Sequence, residues 1–354
     1  MILPGSYLSS IILLILSMVC WGSWANTFKV TGGKWRFELY YFDYAIGVFI
    51  AAVIAAFTFG SLGLDGFGVI DEFALSGKRQ LAYAFTGGVI FNLANMLLVA
   101  AISVAGMAVA FPVGIGLALV IGVVLSYIIH PVGNVLLLTA GCGAIVAAIV
   151  VDAVAWGKYA ASRAEIALQQ AAPTGKTKSK KKKASSRTGL ILAIVGGVLM
   201  GCFYPLVEMA KQGENGSGPY TIGLLFSVGV LLSTGVFNMF FMNLPVQGSP
   251  LGLSQYTRGR KQFHLLGILG GIIWCIGAIS NFVAARAEGP AQVGPAVSYA
   301  MGQGATLIST LWGLIVWKEF EGADSNVRML ITVMLILFVA GLAAVSLAPI
   351  YGAR

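Results

Sequence analysis

Residues 173–187 read PTGKTKSKKKKASSR, the most polar passage of a 354-residue chain. What lies on either side is apolar. The chain is 58% hydrophobic and only 10% charged, with a mean hydropathy of +0.88. A soluble chain of this kind carries about 25% charged residues, so this one lacks the polar surface to cover a water-facing globule. The formal charge of +9 is local, because nine of the 22 Lys and Arg residues lie between Lys158 and Arg187. The passage therefore reads as a basic linker between two apolar halves of a polytopic membrane protein.

A membrane helix needs about 20 apolar residues. Ten runs approach that length: 6–28, 39–60, 80–102, 104–129, 133–155, 189–210, 219–243, 262–285, 290–316 and 327–349. Five precede the linker and five follow it. The expected fold is all-α, with ten transmembrane helices. Residues 1–156 form a first five-helix repeat, 157–188 a linker with the composition of a disordered segment, and 189–354 a second repeat. The first run lacks a basic flank, and WGSWANTF stands where a cleavable signal would need small residues.

Loops after odd-numbered runs carry 17 Lys and Arg residues, against 5 on the other side. That bias puts the basic loop in the cytoplasm and both termini outside, in the plasma (inner) membrane. The lysine block then fits an anchor on anionic lipid. A phosphate-binding loop would need a glycine where Gln170 stands, and a strand before it. No stacking platform accompanies the basic run, so nucleic acid is not an expected partner. Cys20, Cys142, Cys202 and Cys275 lie scattered in apolar runs without a CxxC, so they read as small hydrophobes. No metal or cofactor is expected, and hydrolase signatures such as HExxH and GxSxG are absent.

The halves share a pattern. GGVIFNLANMLLVAAISVAGMAVAFPV from Gly87 aligns without gaps on GGIIWCIGAISNFVAARAEGPAQVGPA from Gly270. Gly87, Gly88, Ile90, Ala101, Gly106, Ala108 and Pro112 match Gly270, Gly271, Ile273, Ala284, Gly289, Ala291 and Pro295. A weaker echo links CWGSWANTFK (20–29) to GCFYPLVEMAK (201–211). Five is odd, so the second half enters the membrane from the opposite side. Inverted repeats of this kind are typical of secondary transporters with a midplane site.

Cys20-Trp21-Gly22-Ser23-Trp24, Tyr41-Phe42-Asp43-Tyr44, Gly87 to Asn95, Val120-Ile121-Gly122 and Tyr127 carry a family likeness. On these residues the chain resembles the drug/metabolite transporter superfamily. Within it the chain is most similar to the ureide permeases and the neighbouring glucose/ribose-type sugar porters. The resemblance implies a transporter rather than an enzyme. It also implies a central cytosolic loop with a nucleotide-binding-like motif, which is degenerate here.

Polar groups inside a bilayer are costly and therefore informative. The candidate solute-binding residues are Trp21, Trp24 and Asn26 at the end of the first run, Asn92 and Asn95 at i, i+3 in the third, Tyr204, Trp274, and Tyr299 with Gln303. Amides offer donors and acceptors together, and indoles offer flat faces. That set suits a small neutral polar solute such as a sugar, a ureide or a nucleobase. A lipophilic cation would want a midspan carboxylate, and none lies at midplane, so a multidrug exporter is the alternative and not the first reading, with a non-transporting receptor a second alternative. The asparagines also fit simple helix bridges, and the tryptophans fit an interfacial belt. Asp43 and Glu208 intrude furthest of the carboxylates and are the proton-coupling candidates. The plainer reading pairs Asp43 with Lys29, Lys34 or Arg36, and Glu208 with Lys211 at an exposed rim. His130 and His264 flank helix ends and carry no assigned chemistry. Pro112 and Pro295 are expected to kink their helices and act in gating. A monomer and a homodimer both satisfy the sequence.

Overall fold

The computed structural model describes residues 1–63, 65–105, 107–170, 186–245, 248–318 and 320–351. Its first half holds α1 (Tyr7–Ser23), α2 (Ala25–Lys29), α3 (Phe37–Phe57), α4 (Val69–Leu75), α5 (Lys78–Ala105), α6 (Met107–Ile129) and α7 (Val135–Gln170). The second holds α8 (Ser186–Ala210), α9 (Pro219–Asn243), α10 (Leu253–Thr257), α11 (Lys261–Arg286), α12 (Pro295–Gln303), α13 (Ala305–Leu311) and α14 (Ser325–Leu347). No strand occurs among the described residues. Ser6 caps α1 and Asp324 caps α14, each side chain accepting from a first-turn amide that the helix leaves unpaired.

Eight helices are long and apolar enough to cross a membrane among the described residues. Two of the ten expected runs fall short of that standard. The fourth lies on α6, whose qualifying apolar part is the shorter Val113–Ile129. The ninth is divided at Gly304 into α12 and α13, followed by a π turn over Trp312–Val316. The proline kink expected there is not found. Pro295 is the first residue of α12, where a missing amide costs nothing. The break falls instead at Gly304. Pro112 lies within the α6 range, and its side chain is outside the described residues.

The expected linker also needs correction. Helix α7 continues past residue 156 to Gln170, through KYAASRAEIALQQ. Ala, Arg, Glu, Leu and Gln are strong helix formers, so the polar stretch extends the helix rather than ending it. Residues 171–185, with the lysine block, lie outside the described residues.

Glycine sets how the helices meet. A side chain on Gly47 of α3 would collide with the Ile268 carbonyl of α11, and one on Gly229 of α9 with the Phe85 carbonyl of α5. Likewise Gly271 of α11 lies against the Tyr44 backbone, and Gly88 of α5 against the Phe226 backbone. The α3–α11 and α5–α9 crossings are therefore the same contact made twice. Each joins the second apolar run of one half to the third run of the other. Gly141 of α7 and Gly341 of α14 face each other's carbonyls in a further close crossing. Lipid offers no hydrophobic drive between helices, so backbone approach of this kind holds the bundle together. Leu8, Ile54, Leu136, Val236 and Ile336 project outward, as a lipid-facing surface requires.

Candidate functional site

Trp274 sits midway along α11 and is buried at the centre of an aromatic cluster. Phe91 of α5 stacks on it at 4.4 Å, Phe226 of α9 at 5.9 Å and Trp21 of α1 at 6.0 Å between centroids. Tyr44 of α3 packs at 6.4 Å, and Trp24 lies 4.9 Å from Tyr44. Five helices thus bring rings to one place. Glycine admits the largest of them: Gly277 of α11 and Gly302 of α12 leave room for the Trp21 indole. The indole Nε1 of Trp21 and the hydroxyl of Tyr44 are buried with no hydrogen-bond partner among the described residues. An unpaired polar atom in a dry interior is costly, so each one calls for an explanation such as a bound solute or water.

An amide network flanks the cluster. The Asn92 Nδ2 donates to Ser233 Oγ at 2.7 Å, to Thr234 Oγ1 at 3.1 Å and to the Val230 carbonyl at 3.3 Å. Its Oδ1 is buried and unpaired among the described residues. Asn95 Nδ2 donates to the Tyr41 hydroxyl at 3.0 Å, bridging α5 to α3. On the other flank Tyr204 donates to Asn281 Oδ1 at 2.5 Å. The Asn281 Nδ2 reaches the Ser298 carbonyl at 2.9 Å and Ser17 Oγ at 3.3 Å, so one amide joins α8, α11, α12 and α1. Tyr299 packs 4.9 Å from Tyr204 and donates to the Met200 carbonyl at 3.2 Å.

Two cavities lie beyond the cluster, at opposite ends of α11. One, of about 310 Å³, is lined by Phe28, Trp35, Arg36, Glu38, Met96 and Phe241 among others. Its Trp35 stacks on Phe263 near the start of α11. The other, of about 340 Å³, is lined by Glu208, Lys211, Arg286 and Glu288 near the end of α11. At 1.5 Å per residue, Phe263 and Ala285 stand roughly 33 Å apart along that helix. The aromatic cluster separates the two.

The two carboxylates occupy these opposite ends. Asp43 is buried, accepting from the Tyr256 hydroxyl at 2.7 Å and meeting His264 Nδ1 at 2.8 Å. Its partners are thus not the expected Lys29, Lys34 or Arg36. Arg36 pairs with Glu38, and Lys29 lies over the Trp317 ring. Burial pushes the Tyr256 hydroxyl upward, and the neighbouring Asp43 adds to this. Glu208 does pair with Lys211, at 2.6 Å, but the pair is not an exposed rim contact: the two side chains are 5% and 6% exposed. Burial lowers the pKa of Lys211, and Glu208 opposes that shift.

The structure therefore brings Trp21, Trp24 and Trp274 together, sets Asn92 and Asn95 on one flank, and sets Tyr204 with Tyr299 on the other. Asn26 is not among them. Its Oδ1 accepts from Trp317 Nε1 at 2.6 Å, at the end of the broken ninth run. Gln303 is half-buried at the end of α12. Phe226 and Asn281 are the central residues that sequence reasoning left out, while Phe91 and Tyr44 carried the family likeness without being named as solute-binding candidates. Asn281 had a signal, as the one amide in IGAISNFVAA. His264 and Tyr256 had none, because their meeting with Asp43 is made by tertiary packing.

Apolar helices with lipid-type side chains outward and amides and rings gathered inward define a multi-pass integral membrane protein. The family model for ureide permeases matches residues 40–188 and 175–348, and the chain belongs to that family. The family is one of permeases, so the chain is not an enzyme. Ureide permeases 2 and 4 of Arabidopsis thaliana are 22% and 23% identical, over 93% of this chain and 94% of each relative. A probable ureide permease A3 of Vigna unguiculata is 20% identical over 87% of this chain and 94% of its own length. A solved crystal structure matches with a TM-score of 0.53 at 18% identity, covering 96% of both chains, which is a likeness in fold.

Proposed function

We propose that this chain is a secondary active transporter that moves a small neutral polar solute of the ureide type by alternating access. The observation that carries the reading is the aromatic cluster around Trp274. It draws rings from both halves, holds two unpaired buried polar atoms at Trp21 Nε1 and the Tyr44 hydroxyl, and lies between cavities at opposite ends. Planar amide-rich solutes stack on indole faces and satisfy such atoms together. The names of the relatives favour ureides over sugars within that class.

The duplicated α3–α11 and α5–α9 crossings support two inverted five-run repeats, in the manner of the drug/metabolite superfamily. In this reading the halves rock about the cluster and open one cavity at a time. Asp43, bonded to His264 and Tyr256, is the proton-coupling group. The basic segment around the lysine block faces the cytoplasm, where anionic lipid holds it.

Uptake of radiolabelled allantoin into proteoliposomes under an imposed pH gradient tests this. Saturable accumulation that disappears with the gradient is expected. Accumulation of glucose in place of allantoin would move the reading to a sugar porter. Extrusion of cationic dyes without allantoin uptake would replace it with a drug exporter.

A further inference from the structure

The cavity at the Glu208 end has a wall unlike the aromatic cluster. Glu208 and Lys211 form a buried ion pair, yet the pair lines open space instead of a sealed core. Replacing a sealed buried ion pair by apolar residues is often neutral or stabilising. A pair on a cavity wall can do something a sealed one cannot, because a third polar group can enter beside it. Arg286 and Glu288 add a second pair on the same wall. The four charges cancel, so the wall offers an ion no net attraction. A neutral solute with both donors and acceptors can bond charges of either sign.

We propose that this cavity is an outer capture subsite for a neutral solute with adjacent N–H and C=O groups, as a ureido group has. The Glu208 carboxylate accepts the N–H, and the Lys211 ammonium or the Arg286 guanidinium donates to the carbonyl. Charge-assisted bonds of this kind are about twice as strong as neutral ones. Gln212 holds one rim by donating to the Ile129 carbonyl at 3.1 Å, and Gln292 lines the wall near it. From the subsite a polar track leads inward. Tyr204 lies four residues before Glu208, on the same face of α8. Its hydroxyl bonds Asn281, which reaches α1 and α12 beside Trp21. The solute is bound first where charges are fixed and then passed to rings and amides.

This subsite rests on the ureide reading above, and the test separates the two. Allantoin uptake is measured in proteoliposomes for the full chain and for the double variant Glu208→Gln/Lys211→Met, which removes both charges at once and leaves neither stranded. Lost capture raises KM about tenfold, a larger change than in Vmax, because binding common to ground and transition states is what is removed. The charge-swapped variant Glu208→Lys/Lys211→Glu keeps a pair and separates a structural lock from a subsite, since a lock is restored by the swap and an oriented subsite is not. A KM within twofold of the parent in the double variant overturns the subsite. Full recovery of KM by the swap overturns it as well. Failure of the parent chain to take up allantoin overturns the ureide reading itself. Competition by glycine as strong as by allantoin overturns the ureido class, because a zwitterion then fills the same wall.

Discussion

Asp43 and Glu208 stand at opposite ends of the bundle, and their partners differ in kind. Glu208 meets a lysine, a fixed charge within a pair that stays neutral overall. Asp43 meets a histidine and a tyrosine hydroxyl. An imidazole can donate to a carboxylate or accept from its protonated form, whereas a lysine ammonium can only donate. Both carboxylates intrude into apolar helices, so the comparison between the two ends rests on the partner each one meets.

The largest effect should come from breaking that difference directly. Asp43→Asn keeps an acceptor for Tyr256 and removes the titrating group. Uptake driven by a pH gradient should fall to the level seen without one, a loss within the roughly 5- to 150-fold range of coupling between two ligands. Glu208→Gln should retain the ratio of driven to undriven uptake while raising KM. Measuring that ratio for both variants decides it: equal loss in the two would erase the distinction between the ends.

Asn281→Ala comes next. It leaves the Tyr204 hydroxyl without its partner in a dry interior, a cost of about 1–3 kcal/mol. The expected result is a lower thermal midpoint, partly restored by adding Tyr204→Phe, which removes the stranded hydroxyl. If the double variant is less stable than either single one, Asn281 does not act through Tyr204. A change of comparable size is expected at the other end. Tyr256→Phe removes one of the hydrogen bonds to Asp43, worth about 1.5–3 kcal/mol when the acceptor is charged, and leaves His264 in place. Thermal melts of the parent and the variant read this out.

How much of this was legible in the sequence depends on what kind of force places each part. The polytopic class follows from composition. The close contacts of Gly88 and Gly271 were legible in the shared glycine pattern, because both touch backbone and nothing larger fits. Trp21, Trp24, Trp274, Tyr204 and the span-3 asparagines were legible because a polar or amphipathic side chain in lipid is costly. The break at Gly304 was not, since proline carried the expected kink and sits harmlessly at a helix start. The Asp43–His264–Tyr256 group was not legible either. Its members lie in three different helices, and no spacing announces their meeting. The contact of Asn26 was illegible for the same reason: its neighbour is Trp317, which lies far away in the chain.

Glu72 offers the smallest effect and a control for the comparison. It is buried on the short helix α4, outside the spans, where it accepts from the Gly218 amide at 3.1 Å and from Thr221 at 2.5 Å. Burial raises its pKa above the usual 4.5, with those two bonds opposing the shift. The sign follows from proton binding. The folded chain holds this proton more tightly than the unfolded chain, so its contribution is fully present below about pH 4.5 and is lost as pH rises through the folded value. Glu72→Gln removes the titration but keeps a neutral acceptor for both donors. Relative to that variant, the parent should be most stable in acid and lose ground as the pH rises, which thermal melts at a series of pH values can follow. The variant should leave the pH dependence of uptake as it was. If it flattens that dependence too, then a buried carboxylate remote from the cluster governs coupling, and the Asp43–His264 pair is not what distinguishes one end of the bundle from the other.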